Sequence, residues 1–151
     1  MAFPFVEENN LSRARLQAVT ARLSDPELAL TTSYGWTVAG LLAHLAWWDQ
    51  RVLVLLQRWK EKGVDESPVD SQAVNEALKP LCHAIEPRRA IALCLDSAEA
   101  VDAELETITP DLVERIEATA TPFRPNRALH RNGHLHDIEL LLPSREDSRG
   151  V

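Results

Sequence analysis

The sequence predicts an all-α protein, and three observations support this fold class. Alternating apolar and polar runs between turn residues, which are typical of β-strands, are missing from the 151 residues. Apolar residues instead recur at spacings of three and four, the periodicity of amphipathic helices. Capping residues and prolines divide these segments into four long helices and shorter connectors, and such a set favours a helical bundle.

The first long helix is expected at about residues 7–24. It should stop at Asp25-Pro26, because the residue before a proline is disfavoured in the helical conformation. A polar turn at residues 31–35 then separates it from the second long helix.

The second long helix has the clearest start. Thr37 can cap its first amides, and Trp36 can pack on Leu41 as a hydrophobic staple. The helix should continue to about Lys62 and end at Gly63. Its apolar residues cover more than one face, which indicates a helix that is central in the bundle or part of a subunit contact.

The connection to the third long helix should contain a loop at residues 63–68 and a short helix at about 71–79, ended by Pro80. Pro87 suits the first turn of the third long helix. Six residues on this helix alternate spacings of three and four and form a packing seam: Ile91, Cys94, Ala98, Val101, Leu105 and Ile108.

The last part of the chain begins with a short helical segment opened by Thr109-Pro110, followed by a loop at residues 121–125. Asn126 can cap the last helix, which should end near Leu142-Pro143 and pack inward through its apolar residues Leu129, Ile138, Leu141 and Leu142. We expect one domain over residues 1–151, with a frayed tail at 143–151.

Composition excludes several classes of protein. The formal net charge of −7 argues against a nucleic-acid partner. No apolar run is long enough to span a membrane, and the N-terminus lacks the features of a signal peptide. We therefore expect a cytoplasmic protein with a small-molecule substrate and with Cys82 and Cys94 unpaired.

Three histidines form a candidate metal site. His130 and His134 are four residues apart and share one helix face, while His44 lies within the most apolar helix. Three imidazoles would leave a coordination position open, as in catalytic metal sites. The alternative is that the spacing arose by chance and that these are core histidines bonded to carbonyl groups. His83 fits a surface or capping role, and His136 should be exposed.

Other metal motifs are absent. His130 and His134 enclose Arg-Asn-Gly and so do not form HExxH, and no Glu stands three residues before any histidine, as di-iron bundles require. Asp137, three residues after His134, could orient that imidazole, or it could be an ordinary surface carboxylate.

Two segments resemble a known family. Residues 35–51, GWTVAGLLAHLAWWDQR, are similar to the second-helix signature of the DinB-like superfamily, and residues 130–138, HRNGHLHDI, are similar to its last-helix pattern. The resemblance is strongest to the group that includes the N-terminal domain of mycothiol-dependent maleylpyruvate isomerase. This chain differs from that isomerase in having one bundle and in carrying His130 where the isomerase has Glu.

The resemblance implies a four-helix bundle with up-down-down-up topology. It also implies a divalent metal, zinc or nickel, held by His44, His130 and His134, and often a homodimer. Characterised relatives use low-molecular-weight thiols, so mycothiol or bacillithiol is an implied co-substrate.

The leading functional hypothesis is a thiol-dependent S-transferase that acts on small electrophiles. Trp47 and Trp48 would form an apolar floor for substrate or cofactor, and Arg51 would bind a carboxylate, although it could equally form a surface ion pair. Asp137 is the candidate base for an alternative metal-dependent hydrolysis. The other alternative is a non-catalytic metal-binding or dimeric bundle, in which exposed Trp59 would suit a subunit contact.

Overall fold

The structure is a computed structural model that describes residues 2–143. These residues form seven helices: α1 (Pro4–Arg22), α2 (Asp25–Leu28), α3 (Val38–Lys62), α4 (Ser71–His83), α5 (Pro87–Glu106), α6 (Pro110–Glu117) and α7 (Ala128–Leu141). Within residues 2–143 the only β-type pairing is an isolated bridge between Thr31 and Thr37, so the all-α prediction is confirmed. The predicted frayed tail lies, from residue 144 onward, outside the described residues.

The helices α3 and α5 run in the same direction. One buried cluster joins residues 38–46 of α3 to residues 90–98 of α5, and a second joins residues 52–59 to residues 101–105. The two helices are therefore parallel neighbours in the core. Parallel neighbours need a long connection, and α4 with its flanking loops supplies it.

The other two long helices, α1 and α7, run antiparallel to α3 and α5. His44 of α3 faces His130, and Asp49 faces Arg127, so α3 and α7 are antiparallel. Asn9 of α1 contacts Ala128, whereas Arg15 of the same helix contacts Glu139, so α1 and α7 are parallel. The directions of the four long helices therefore confirm the up-down-down-up topology.

The start and end of α3 follow the capping rules. The Thr37 hydroxyl accepts a hydrogen bond from the Gly40 amide at 3.0 Å. Gly63 ends the helix with a φ of 85°, a conformation that favours glycine. At the N-terminal end of α3, the His83 ring is a second cap, because its Nε2 accepts a hydrogen bond from the Thr37 amide at 3.3 Å. A capping role for His83 was predicted.

The helix α3 is central in the bundle, packing against α5, α4 and α7. Trp59 near its end is only 3% exposed and stacks on Phe123, with 5.6 Å between ring centroids. The interpretation of Trp59 as an exposed subunit contact is therefore wrong. Its burial contributes to the stability of this core, where a fully buried large side chain is worth about 1.5–3 kcal/mol.

Two local predictions need correction. Asp25-Pro26 does not only follow α1; it also starts the short helix α2, whose Ser24 and Glu27 form a capping box. Pro80 does not end α4, which continues to His83. The missing proline amide costs one hydrogen bond, but the last turn is anchored by the buried side chain of Cys82.

No helix in residues 2–143 has both the length and the apolar character needed to cross a bilayer.

Candidate metal centre

The bundle brings the three predicted histidines together. The helix α3 supplies His44, and α7 supplies His130 and His134 on adjacent turns of one face. One ring nitrogen from each residue lies within 4.8 Å of the other two. The Nε2 atoms of His44 and His130 are 3.1 Å apart.

This spacing suits a shared cation. Imidazole nitrogens bind zinc at about 2.0–2.1 Å, so two such ligands in a tetrahedral or octahedral arrangement stand roughly 3 Å apart. His44 is only 5% exposed, and its Nδ1 has no hydrogen-bond partner among the described residues. The polar contact of this ring is made through Nε2, on the side where the other two imidazoles lie.

Burial keeps these imidazoles neutral at pH 7. Desolvation, followed by the charge of His134, lowers the pKa of His44 to about 4. Burial and nearby positive groups lower the pKa of His130 to about 3. The pKa of His134 is also lowered by burial, although Asp137 opposes the shift. Neutral imidazole is the form that binds a metal, so the donor set fits a divalent cation.

His134 is flanked by a carboxylate and a phenol. Its Nδ1 lies 3.8 Å from Oδ2 of Asp137 and 3.5 Å from the Tyr34 hydroxyl. Tyr34 donates a hydrogen bond to Oδ2 of Asp137 at 2.6 Å. Burial, followed by the bond to Asp137, raises the pKa of Tyr34, which therefore stays protonated.

Tyr34 was not predicted as a site residue. It lies in the turn before α3, next to Gly35, whose φ of 84° reverses the chain toward the histidines. A polar turn about 100 residues from His134 carries no local signal of this contact. Only the fold reveals it.

The histidines open onto a cavity of about 370 Å³. Trp36 stands edge-on to the ring of His44, with 5.1 Å between ring centroids. Trp48 is held by a hydrogen bond from its Nε1 to Oδ1 of Asn75 at 3.1 Å. The cavity is lined by Tyr34, Trp36, Leu41, His44, Trp48, Ser71, Asn75, His130 and His134.

The structure separates two other predicted residues from this cavity. Trp47 and Arg51 line a different cavity of about 380 Å³. The Arg51 guanidinium donates from Nη2 to the carbonyl oxygen of Ser67 at 2.8 Å and to its hydroxyl at 3.0 Å. On α7, His136 is exposed as predicted, but Leu129, expected to pack inward, is 59% exposed. The inward face of α7 is formed instead by Leu135 and Ile138.

A buried ionic network lies directly behind the histidines. Arg131, between His130 and His134 in sequence, is 1% exposed. It donates two hydrogen bonds to Asp102, at 2.8 and 2.9 Å, and two to Asp49, at 3.0 and 3.2 Å. Burial lowers the pKa of Arg131, but the bonds and charges of the two aspartates outweigh this and raise it.

The network connects all four long helices. Asp49 belongs to α3, Asp102 to α5 and Arg131 to α7, while α1 contributes the Ser12 hydroxyl, 3.3 Å from Nη1 of Arg131. Asp49 was not predicted to belong to a site or a network. Its charge inside the apolar run of α3 was the available signal, since a buried charge needs a partner.

A family model for the DinB superfamily matches residues 9–136, well over half of the chain. The matched segment includes all three histidines of the cluster, together with Asp49, Asp102 and Arg131. No curated protein and no solved structure shows a significant match to the chain.

Proposed function

Because this chain belongs to the DinB superfamily, we propose that it is a divalent-metal-dependent enzyme that transfers a low-molecular-weight thiol to small electrophiles. One observation carries the proposal. His44, His130 and His134 place three neutral imidazoles within 4.8 Å of one another at the wall of an accessible cavity. Three protein ligands leave an open position, the arrangement found in catalytic metal centres.

Zinc or nickel is the proposed metal, since neutral imidazole suits both ions. When bound, a divalent ion lowers the pKa of a thiol or water in its open position and so supplies a nucleophile at neutral pH. Mycothiol and bacillithiol are the proposed thiols. We also propose a homodimer, by analogy with the family.

The side chains around the histidines have defined tasks in this proposal. Trp36 and Trp48 keep water from the apolar side of the cavity and contact the carbon skeleton of the electrophile. Asp137, whose Oδ2 lies 3.8 Å from Nδ1 of His134, orients that imidazole, and the Tyr34 hydroxyl holds the carboxylate in place. Trp47 and Arg51 remain predicted substrate contacts, but at their separate cavity.

Asp137 fits this orienting task better than general-base catalysis of hydrolysis. Its Oδ2 already accepts a short hydrogen bond from Tyr34 and faces the ligand imidazole. A thiol requirement therefore separates the two reactions: a transferase needs added thiol to consume an electrophile, whereas a hydrolase does not.

The first test is elemental analysis of protein purified from cells supplied with zinc and nickel, followed by metal titration of the chelated protein. We expect about one ion per chain, and loss of this ion in His44→Ala and His134→Ala. His136→Ala, an exposed histidine of the same helix, is the matched control and should bind normally. The 3.1 Å contact between His44 and His130 also fits an N–H···N hydrogen bond. Protein that binds no divalent ion would support that reading and exclude the proposed enzyme.

The second test is consumption of a chromogenic aryl halide by the metal-loaded protein. We expect activity only with added thiol, and little activity in His134→Ala. Metal binding without thiol-dependent turnover would leave a non-catalytic metal-binding bundle as the better description.

A further inference from the structure

The histidine cavity adjoins a second cavity of about 320 Å³. Trp48 of α3 and His130 of α7 line both, so the second cavity begins where the first ends. Its remaining walls come from the segment that leads into α7: Arg124, Asn126, Arg127 and Leu129.

The second cavity carries excess positive charge. Arg124 is exposed and has no carboxylate within ion-pair distance among the described residues. Arg127 pairs through Nε with Oδ1 of Asp49, but Asp49 also pairs with Arg131. Asp102 pairs with Arg131 and with Arg13, so two buried carboxylates serve three guanidinium groups, and the charge of Arg124 adds to this excess.

The Arg127 side chain is held in place for binding. Its Nε donates to Asp49 at 2.9 Å, and its Nη1 donates to the carbonyl oxygen of Arg124 at 3.3 Å. Its Nη2 donates to none of the described residues. The fixed position reduces the entropy lost when an anion is bound.

Positive charge extends beyond this cavity. Burial lowers the pKa of Arg51, and the neighbouring charge of Arg127 lowers it further. Arg51 donates to Ser67 and forms no ion pair with a described carboxylate. Arg51 therefore adds to the positive charge around Arg127, in a chain whose formal net charge is −7. The Glu8 carboxylate accepts a hydrogen bond from the side-chain amide of Asn126, which lines the second cavity.

We propose that the second cavity is an oxyanion subsite of the metal centre, which binds a carboxylate or phosphate carried by the thiol or by the electrophile. Arg124 and Arg127 bind the oxyanion, because guanidinium groups match its geometry. The face of Trp48 and the exposed side of Leu129 contact the carbon chain that leads to the histidines. This inference rests on the proposed function and specifies the charge of its substrate.

The subsite can be tested without metal. Acetate and inorganic phosphate are titrated separately into the chelated protein, and the Trp48 indole and arginine Nε signals are followed by NMR. We expect both anions to shift these signals, with affinity that falls as salt rises. Arg124→Gln should weaken binding about two- to fivefold, as expected for a partly exposed ion pair. A response to only one anion identifies which oxyanion the subsite takes.

The matched control is Arg89→Gln, which removes an exposed arginine that lines neither cavity and should leave binding unchanged. If neither anion shifts these signals, or if Arg89→Gln weakens binding as much as Arg124→Gln, the subsite is wrong. Either result stands whether or not the protein binds a metal.

A second experiment connects the subsite to the metal. Cobalt-loaded protein is titrated with mercaptoacetate, 3-mercaptopropionate and 4-mercaptobutyrate, and with uncharged mercapto-alcohols of matched length, while the thiolate absorbance band is recorded. We expect one of the three mercaptocarboxylates to bind about fivefold more tightly than the mercapto-alcohol of the same length. Arg124→Gln should remove this preference. Equal affinities with normal cobalt binding would overturn the subsite but not the metal site. Absence of cobalt binding would instead count against the proposed function.

Discussion

Arg131 and Asp102 form a two-pronged ion pair, with hydrogen bonds of 2.8 and 2.9 Å, in the interior of the bundle. The arginine lies on α7 between the two histidines that this helix contributes. Since successive residues of a helix point about 100° apart, a fixed inward direction for Arg131 also fixes the directions of His130 and His134. The ion pair thereby sets the rotation of α7 about its axis and aims the imidazoles at His44.

Arg131→Met should strongly destabilise the protein. The methionine fills part of the volume but leaves each buried carboxylate with a single arginine: Asp102 keeps the partly exposed Arg13, and Asp49 keeps Arg127. Removing one member of a buried ion pair costs about 3–5 kcal/mol. Because each aspartate keeps one arginine, we expect a loss near the lower end of this range in the free energy of unfolding, measured by urea denaturation of the chelated protein.

The control is Arg15→Met, which breaks the ion pair between Arg15 of α1 and Glu139 of α7. Both partners are more than a third exposed, so the expected loss is under about 1 kcal/mol. Equal losses in the two variants would show that the buried network does not hold α7.

The sequence predicted the parts of this fold that depend on local interactions. The bounds of α3 follow from Thr37 and Gly63, and both act within their own helix turn. The ion pair between Arg131 and Asp102 could not be predicted in this way. Charges on a helix usually face solvent, and only the assembled bundle, in which α5 and α7 both turn these side chains into the core, reveals that the two are buried.

The metal site was predictable for a similar reason. His130 and His134 share a face because of their helical spacing, whereas the position of His44 came from its apolar surroundings and from the family resemblance. Leu129 was misplaced because apolar character alone does not say which face of α7 is buried. The buried face is formed by Ala128, Arg131, Leu135 and Ile138, which recur at spacings of three and four, and Leu129 lies outside it.

Asp137→Asn should weaken metal binding about tenfold. The carboxylate lies 3.8 Å from Nδ1 of His134, and loss of such a partner makes the ligand imidazole less basic and less well oriented. Tyr34→Phe should have a smaller effect in the same direction, because it removes only the hydroxyl that holds Asp137. Affinity is measured by competition with a chromogenic zinc chelator.

The comparison variant is Asp111→Asn, on the exposed side of α6 and paired only with Arg115. It should bind zinc normally. Normal affinity in Asp137→Asn as well would mean that Asp137 does not orient the ligand.

Asn9→Ala should destabilise the start of α7. The Asn9 side chain accepts hydrogen bonds from the amides of Arg127 and Ala128, at 2.7 and 3.1 Å, and donates to the carbonyl oxygen of Pro125 at 3.0 Å. It therefore caps α7 from another helix. Losing a helix cap costs about 0.5–2 kcal/mol, and the upper end applies because Asn9 is buried. Thermal unfolding measures the change.

Asn10→Ala is the neighbouring control, since Asn10 is only partly buried and forms none of these bonds. Its unfolding temperature should stay close to that of the parent protein. A similar decrease in both variants would point to a general effect on α1 and not to the cap.

The metal-free protein should lose stability as the pH falls from about 6.5 toward 4. The pKa of histidine is near 6.5 in the unfolded chain, but burial lowers it to about 4 for His44 and to about 3 for His130. Between these values the unfolded state binds more protons, so the free energy of unfolding decreases with decreasing pH. Above pH 6.5 this contribution is constant. His130→Gln should flatten the dependence measured by urea denaturation, while His136→Gln should not.

The same pKa shifts predict how many protons the metal displaces. An exposed site of three histidines at pH 6 is mostly protonated and would release about two protons when it binds zinc. Here the pKa values of His44 and His130 lie at least about two units below pH 6, so both are already neutral. Calorimetry at pH 6 in buffers of different ionisation enthalpy should therefore detect no more than about one released proton. Release of two or more would mean that the imidazoles are protonated before binding and that the metal-free site is open to water.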